Sequence, residues 1–258
     1  MLKALIFDVD GTLADTERDG HRPAFNAAFQ EFGLDWEWDI PLYGKLLEVT
    51  GGKERIRFYV ERFRPDYIKP QDFDDLVIAL HQAKTRHYVD LLGRGGIPLR
   101  KGVKRLLSEA REAGIRLAIA TTTTPENVTA LLGKTLGGDP AEWFEVIAAG
   151  DIVPAKKPAP DIYVWALEKM KLDASECLAL EDSQNGIRSS LGAGLKTVVT
   201  VNDYTLDHDF SGAVAVLSDL GEPGQVFRMI SGEAVEREYV DLELLRGWHN
   251  GVMVADAT

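Results

Sequence analysis

Apolar residues recur along this 258-residue chain in two rhythms. Short runs, apolar at successive positions and rich in β-branched residues, occur at 3–9 (KALIFDV), 115–121 (IRLAIAT), 144–150 (FEVIAAG), 177–182 (CLALED), 196–201 (KTVVTV) and 213–217 (AVAVL). Apolarity on both sides of a run fits a strand buried on both faces, as in a parallel sheet. Helix-period segments alternate with these runs, at 101–114 (closed by Gly114), 125–136 (opened by Pro125) and 159–172. Strand and helix in alternation predict an α/β fold with a doubly wound, Rossmann-like parallel sheet.

From 16 to 95 the rhythm changes. ERDGHRPAFNAAFQEFG, KERIRFYVERF and DFDDLVIALHQAKTRHYVDLLG follow one another with no strand between them, which predicts an all-helical insert after the first strand. Glycines in LLGRGGIPLRKG (91–102) mark the return to the core. The expected division is therefore 1–15 plus 96–258 as the α/β core, with 16–95 as the inserted domain. Beyond 222 the pattern supports one packed amphipathic segment around VEREYVDLELLRGW.

Composition narrows the options. Hydrophobic residues make up 45% and charged residues 27%, an ordinary globular balance. No apolar run approaches the roughly 20 residues of a membrane span, and Met1 leads directly into a strand, so a cytoplasmic protein is expected. The single cysteine, Cys177, excludes an internal disulfide and a thiolate metal cluster. With a net charge of −12 the chain has no overall electrostatic footprint for nucleic acid or anionic membrane. A phosphorylated substrate would need positive charge concentrated locally.

Four polar elements stand at or just beyond the ends of predicted strands, where open parallel sheets bind ligands. They are DVDGT (8–12), TTTT (121–124), AKKPAPD (155–161) and EDSQNG (181–186). In identity and order they resemble the four motifs of the haloacid dehalogenase superfamily of phosphotransferases, and the helical insert resembles that family's α-helical cap. TGGKERI (50–56), AAGDIVPAKKPAPDIY and LALEDSQNGIRSS further resemble the CbbY-like branch, related to β-phosphoglucomutase and phosphoglycolate phosphatase.

This resemblance implies an enzyme that hydrolyses phosphoric monoesters. Attack on a phosphate ester needs a nucleophile and a proton donor for the leaving alkoxide. By the family pattern Asp8 is the nucleophile and forms a phospho-aspartate. Asp10 protonates the leaving oxygen and then takes a proton from water. Gly11 provides the turn that brings backbone N–H groups to the phosphoryl group. Thr121 donates its hydroxyl and Thr122 its amide to phosphoryl oxygens, while the rest of the threonine run can equally serve as a turn and helix cap. Lys157, directly before proline, supplies the positive charge, with adjacent Lys156 as its rival. Mg2+ is the implied cofactor, held by Asp8, the Asp10 carbonyl and Asp182, with Glu181 either a ligand or a partner of one.

The insert must supply selectivity. Glu17 and His21 lie at the hinge. Gly51 and Gly52 followed by Lys53 and Arg55 form a loop into a helix start suited to an anion. His81 and Lys84 share a helix face, Lys84 being the best match to a family substrate lysine, and Asn127 is a further candidate. The branch resemblance implies a small phosphorylated sugar, xylulose-1,5-bisphosphate, as substrate, and a monomer without nucleic-acid or membrane partners. The alternatives are a β-phosphoglucomutase-like mutase, a phosphoglycolate or general sugar-phosphate phosphatase, and, from another class, a binding protein on an inactive phosphatase fold. Presence of all five core residues speaks against the last.

Overall fold

In the computed structural model, which describes residues 1–251, seven strands form one sheet. They are β1 (Ala4–Phe7), β2 (Arg116–Thr121), β3 (Val146–Ala149), β4 (Cys177–Glu181), β5 (Lys196–Thr200), β6 (Ala215–Leu217) and β7 (Met229–Ser231). Their spatial order is β3-β2-β1-β4-β5-β6-β7, and every neighbouring pair is parallel except β6 with β7. The fold is the expected α/β, doubly wound one. Strand β7 is an addition that the hydropathy pattern misses, because it is short and two of its three residues are exposed.

The double-sided apolarity has a direct structural meaning. Leu5 and Phe7 of β1 point into one core with Leu117, Ile119, Leu178 and Leu180. That core is closed by Leu106, Leu107 and Ala110 of α5 (Val103–Glu112). Ala4 and Ile6 point the other way with Ala118, Ala120, Cys177 and Ala179, against Ile162, Tyr163 and Ala166 of α7 (Asp161–Met170). Alternate residues of a strand face opposite sides, so a sheet covered on both faces needs apolar residues at every position. Cys177 is buried in the second core.

Between β1 and α5 the chain forms a π-helical turn (Glu17–His21) and four helices: α1 (Arg22–Glu31), α2 (Ile40–Leu46), α3 (Gly52–Phe63) and α4 (Phe73–Arg94). This insert has its own core, in which Phe25, Phe29, Trp36, Trp38, Tyr43 and Tyr59 are all buried. Phe29 meets Trp38 edge-on at 4.9 Å, and Trp38 meets Tyr59 edge-on at 5.4 Å. Edge-on aromatic pairs of this kind contribute about 0.5–1.5 kcal/mol each beyond their burial. Helix α2 was not foreseen from the sequence; Asp39 caps it by accepting from the Leu42 amide.

The remaining helices are α6 (Pro125–Thr135), α8 (Gln184–Gly192) and α9 (Leu242–Asn250). The amphipathic segment expected in the tail is α9, whose Leu242, Leu244 and Leu245 are buried against the first core. The part of the tail beyond 251 lies outside the described residues. Among the described residues, no helix is long and apolar enough to cross a membrane.

Candidate active site

Strand order places the site. β1 lies between β2 and β4, so the ends of these three strands open side by side at the middle of the sheet. Asp8 follows β1 directly and extends its ladder by one bond, its amide donating to the Leu180 carbonyl at 3.0 Å. Thr121 ends β2, and Glu181 ends β4 with Asp182 next. Lys157 comes from the loop between β3 and α7. All five side chains are buried, none more than 7% exposed.

The Lys157 ammonium donates to Asp8 Oδ1 at 2.7 Å and to Glu181 Oε1 at 2.6 Å. Glu181 is fully engaged: Tyr163 donates its hydroxyl to the same oxygen at 2.5 Å, and the Asp182 amide donates to Oε2 at 3.3 Å. Lys156, the rival by sequence, turns away to Glu54 and Asp151. Burial pulls the Lys157 ammonium toward neutrality, but the two carboxylates outweigh it and raise its pKa. Burial raises Asp8 in spite of Lys157, with Glu181 and Asp10 adding to the rise. Asp182 is raised well above the ordinary carboxylate range by burial and by repulsion from Asp8 and Glu181.

Asp8, Glu181 and Asp182 each offer an oxygen, and these oxygens lie within 4.8 Å of one another. Three buried carboxylates face one ammonium, an excess of negative charge that a divalent cation would offset. A hard ion with oxygen ligands fits this donor set. Because Glu181 is occupied by Lys157, Tyr163 and the Asp182 amide, Asp8 and Asp182 are left to meet the ion.

Asp10 has a separate environment. Its Oδ1 accepts from Thr16 at 2.5 Å and lies 2.8 Å from His21 Nε2. On the other side of the imidazole, Lys84 Nζ is 2.8 Å from Nδ1. An ammonium can only donate, so Nδ1 accepts and Nε2 carries the proton given to Asp10. Burial would raise Asp10, but the hydrogen bonds from His21 and Thr16, with the positive charge of Lys84 behind the imidazole, outweigh it and lower its pKa. Lys84 is itself lowered to about 8, chiefly by burial. It sits over the faces of Phe25 and Tyr88, with only 4% of the residue exposed.

A cavity of about 290 Å3 opens on these groups. Asp8, Asp10, Thr121, Thr122, Lys157 and Asp182 line it from the core, Glu17, Thr50 and Arg55 from the insert, Arg188 from α8 and His208 from the loop between β5 and β6. Arg55 donates to the Tyr43 hydroxyl at 2.8 Å, and Tyr43 donates to Glu17 at 2.5 Å.

Other expected site residues lie off the cavity lining. Lys53 pairs with Asp151 at 2.6 Å, so it ties the insert to the core. Gly51 has φ +97°, and a Cβ there would stand 2.2 Å from Glu54 Oε2 and 2.8 Å from Lys156 Nζ. A Cβ on Gly52 would stand 2.5 Å from the His81 ring, whose pKa is pushed down to about 3 by burial with the charges of Lys84, Lys53 and Lys156. Asn127, 2% exposed, donates to Thr123 Oγ1 at 3.0 Å inside the first turn of α6. Lys84, expected at the substrate, bonds His21 instead.

Several residues at the site escape a sequence reading. Thr16 carries no motif of its own, and nothing in the AAGDIVPAKKPAPDIY run marks its last residue, Tyr163, as a partner of Glu181. Asn202, which donates to Asp182 Oδ2 at 2.7 Å, follows β5, and a polar residue just past a strand end was the available signal. Arg188, four residues into α8, reads in sequence as one more charged helix position.

Comparison with known proteins gives three consistent findings. Residues 2–194 match the family model described as "Hydrolase: haloacid dehalogenase-like hydrolase". Over 253 residues, 98% of this chain and 99% of the relative, the chain is 49% identical to the plasmid-encoded CbbY protein of Cupriavidus necator. The crystal structure of CbbY from Rhodobacter sphaeroides in complex with phosphate superposes with a TM-score of 0.79 at 46% identity, covering 85% of this chain and 95% of that one. A mutant of the same protein, crystallised with xylulose-1,5-bisphosphate, matches with the same TM-score at 45% identity and the same coverage.

Proposed function

The chain belongs to the haloacid dehalogenase-like hydrolase family, and from that premise we propose that it is a Mg2+-dependent sugar-bisphosphate phosphatase, acting through a phospho-aspartate on xylulose-1,5-bisphosphate. One observation carries the reading: a buried ammonium holds Asp8 at the end of the central strand, beside Thr121 on one flank and Asp182 on the other. The substrate is taken from the ligand of the Rhodobacter sphaeroides structure.

In this reading Asp8 attacks phosphorus, forming an O–P bond as the bond to the sugar oxygen breaks. Lys157 holds one Asp8 oxygen, which fixes the carboxylate so that the other faces the phosphate. Thr121 and the Thr122 amide take phosphoryl oxygens. The lowered pKa of Asp10 keeps it ionised but a weak base at rest, so it takes the proton of the water that cleaves the phospho-aspartate only once the bound phosphoryl group has raised that pKa. Approach of an anionic phosphate raises that pKa, so that Asp10 can protonate the leaving alkoxide first. His21, held by Lys84, orients Asp10. Asp8, Asp182 and the Asp10 carbonyl would hold Mg2+, which supplies charge neutralisation at the phosphoryl oxygens when bound.

We assign 16–95 as the cap domain, with 1–15 plus 96–258 as the core. The separate aromatic core of the insert supports this, as do the ion pairs Lys53–Asp151 and Lys156–Glu54 across the junction. Arg55 and Arg188 then offer positive charge for a second phosphate away from Asp8, and neutral His208, whose Nδ1 accepts from the Gln184 amide at 3.2 Å, offers a ring N–H.

The test is inorganic phosphate release from xylulose-1,5-bisphosphate, ribulose-1,5-bisphosphate, β-glucose-1-phosphate and phosphoglycolate, in Mg2+ and in EDTA. Metal-dependent preference for the xylulose compound over its C3 epimer is expected. Broad weak hydrolysis, or migration of phosphate on the glucose compound, would move the assignment to a general phosphatase or a mutase.

A further inference from the structure

We propose that Arg100, where the insert returns to the core, is a positioning residue for the metal site: its guanidinium sets the width of the slot that holds the Asp182 carboxylate. This rests on the reading of Asp182 as a ligand of Mg2+. One wall of the slot is Gly11, whose φ is +86° and where a Cβ would stand 2.2 Å from Asp182 Oδ2 and 2.6 Å from Asn202 Nδ2. The opposite wall is Asn202, whose amide donates to that same oxygen at 2.7 Å. Both walls are loop residues, one after β1 and one after β5, and only Asn202 bonds Asp182 directly.

Arg100 ties them together. Nη1 donates to the Gly11 carbonyl and, at 3.0 Å each, to the carbonyl and hydroxyl of Thr200. Nη2 donates to the Val201 carbonyl and, at 3.0 Å, to the Ser218 carbonyl. Nε pairs with Asp15 at 3.2 Å, and only 8% of the side chain is exposed. The backbone amide of Arg100 also donates to the Leu13 carbonyl at 2.8 Å. The fork therefore joins the loop after β1 to the ends of β5 and β6, and both of its Nη groups are fully supplied with acceptors.

Two of those carbonyls lie next to functional positions. Gly11 follows Asp10, and Val201 precedes Asn202. The Asn202–Asp182 hydrogen bond closes one side of the slot, but Gly11 is drawn to the β5 side by the fork, and without it the gap around Asp182 is free to open. A lysine keeps the charge but presents a single compact ammonium, which cannot span carbonyls on three loops. Groups that orient a metal ligand typically govern affinity by about 10- to 100-fold.

The experiment is a calorimetric Mg2+ titration of the full chain after EDTA treatment and dialysis, with thermal unfolding followed on the same samples. Parent, Asp182→Asn and Arg100→Lys are compared. The expected result is a Kd raised about tenfold or more in Arg100→Lys, with binding lost in Asp182→Asn. A lower Tm with the parental Kd would make Arg100 a purely structural staple and overturn the proposal. Parental affinity in Asp182→Asn, or no binding by the parent, would instead refute the metal assignment and this proposal with it. Should Arg100→Lys fail to fold, Thr200→Val removes one acceptor of the fork at nearly constant shape. It is expected to raise Kd about threefold, the scale of one hydrogen bond, and an unchanged Kd there overturns the proposal.

Discussion

Replacing Lys157 with methionine separates what the buried charges do for the fold from what they do for chemistry. The ammonium lies 2.7 Å from Asp8 and 2.6 Å from Glu181, with 5% of its side chain exposed. Methionine fills much of the volume but leaves two buried carboxylates without their counter-ion. Breaking a buried pair on one side costs about 3–5 kcal/mol, a large share of the roughly 5–15 kcal/mol that separates native from unfolded chains. Urea unfolding in EDTA at pH 7.5, followed by tryptophan fluorescence, should show that loss. Adding Glu181→Gln removes one orphaned charge while keeping an acceptor for Tyr163, so about half the loss should return. Phosphate release should stay at background in both variants. The deficit should also shrink on acidification: a carboxyl whose folded pKa is raised binds its proton more tightly when folded, so the associated stability is lost as pH rises through the folded pKa. A Lys157→Met protein within about 1 kcal/mol of the parent would show that the charges are not buried together, and the site's electrostatics would need redrawing.

Asp10→Ala should lower turnover of a sugar phosphate by about 10^2- to 10^4-fold, yet still give a phosphoenzyme burst with p-nitrophenyl phosphate, whose leaving group needs no proton; absence of that burst would remove Asp10 from the proton-transfer role. Lys84→Met should reduce kcat on a bisphosphate and on p-nitrophenyl phosphate alike, because its contact is His21 and hence Asp10. A rise confined to KM for the bisphosphate would return Lys84 to substrate binding. His81 has its folded pKa pushed down to about 3 from 6.5, so the unfolded chain takes up the proton first and stability falls as pH drops below 6.5. At pH 5 this amounts to about 2 kcal/mol, and His81→Gln should flatten that part of the stability–pH curve. An unchanged slope would mean that the ring is solvated in the native state.

What the sequence made legible and what it hid follow one physical line. The strands were legible because both faces of the sheet are covered, which forces apolar residues at every position of β1, at Leu117–Ala120 of β2 and at Cys177–Leu180 of β4. The polar residues that end those strands then stood out, and Asp8, Thr121, Lys157 and Asp182 converge as their order along the chain implied. Lys53, Lys84 and His81 show the limit. In sequence Lys53 opens a helix start and His81 and Lys84 share a helix face, yet Lys53 reaches across to Asp151, Lys84 turns into a buried contact with His21, and His81 packs on Gly52. Which way a long cationic side chain turns depends on acceptors far away in the sequence. Arg100 and Asn202 were hidden for the same reason, since their partners are loops brought together only by the sheet.

Two aspartates two residues apart end up in opposite electrostatic settings, and the separation comes from which domain supplies the partners. Asp8 belongs wholly to the core: Lys157 and Glu181 surround it, and burial with carboxylate repulsion raises its pKa. Asp10 is held from the insert, through Thr16, His21 and Lys84, and its pKa is lowered. Environments that push paired carboxyl groups apart divide chemical roles between them. In this protein the division is also spatial, because the chain crosses from core to insert a few residues after Asp10. In the proposed mechanism Asp8, a nucleophile fixed by the sheet, keeps its geometry whatever the insert does. A proton carrier fixed by the insert is fully oriented only while α4 is packed at the hinge, where Lys84 reaches His21. Under the proposed mechanism, proton transfer to the leaving sugar is tied to the same packing that brings Glu17 and Arg55 over the cavity.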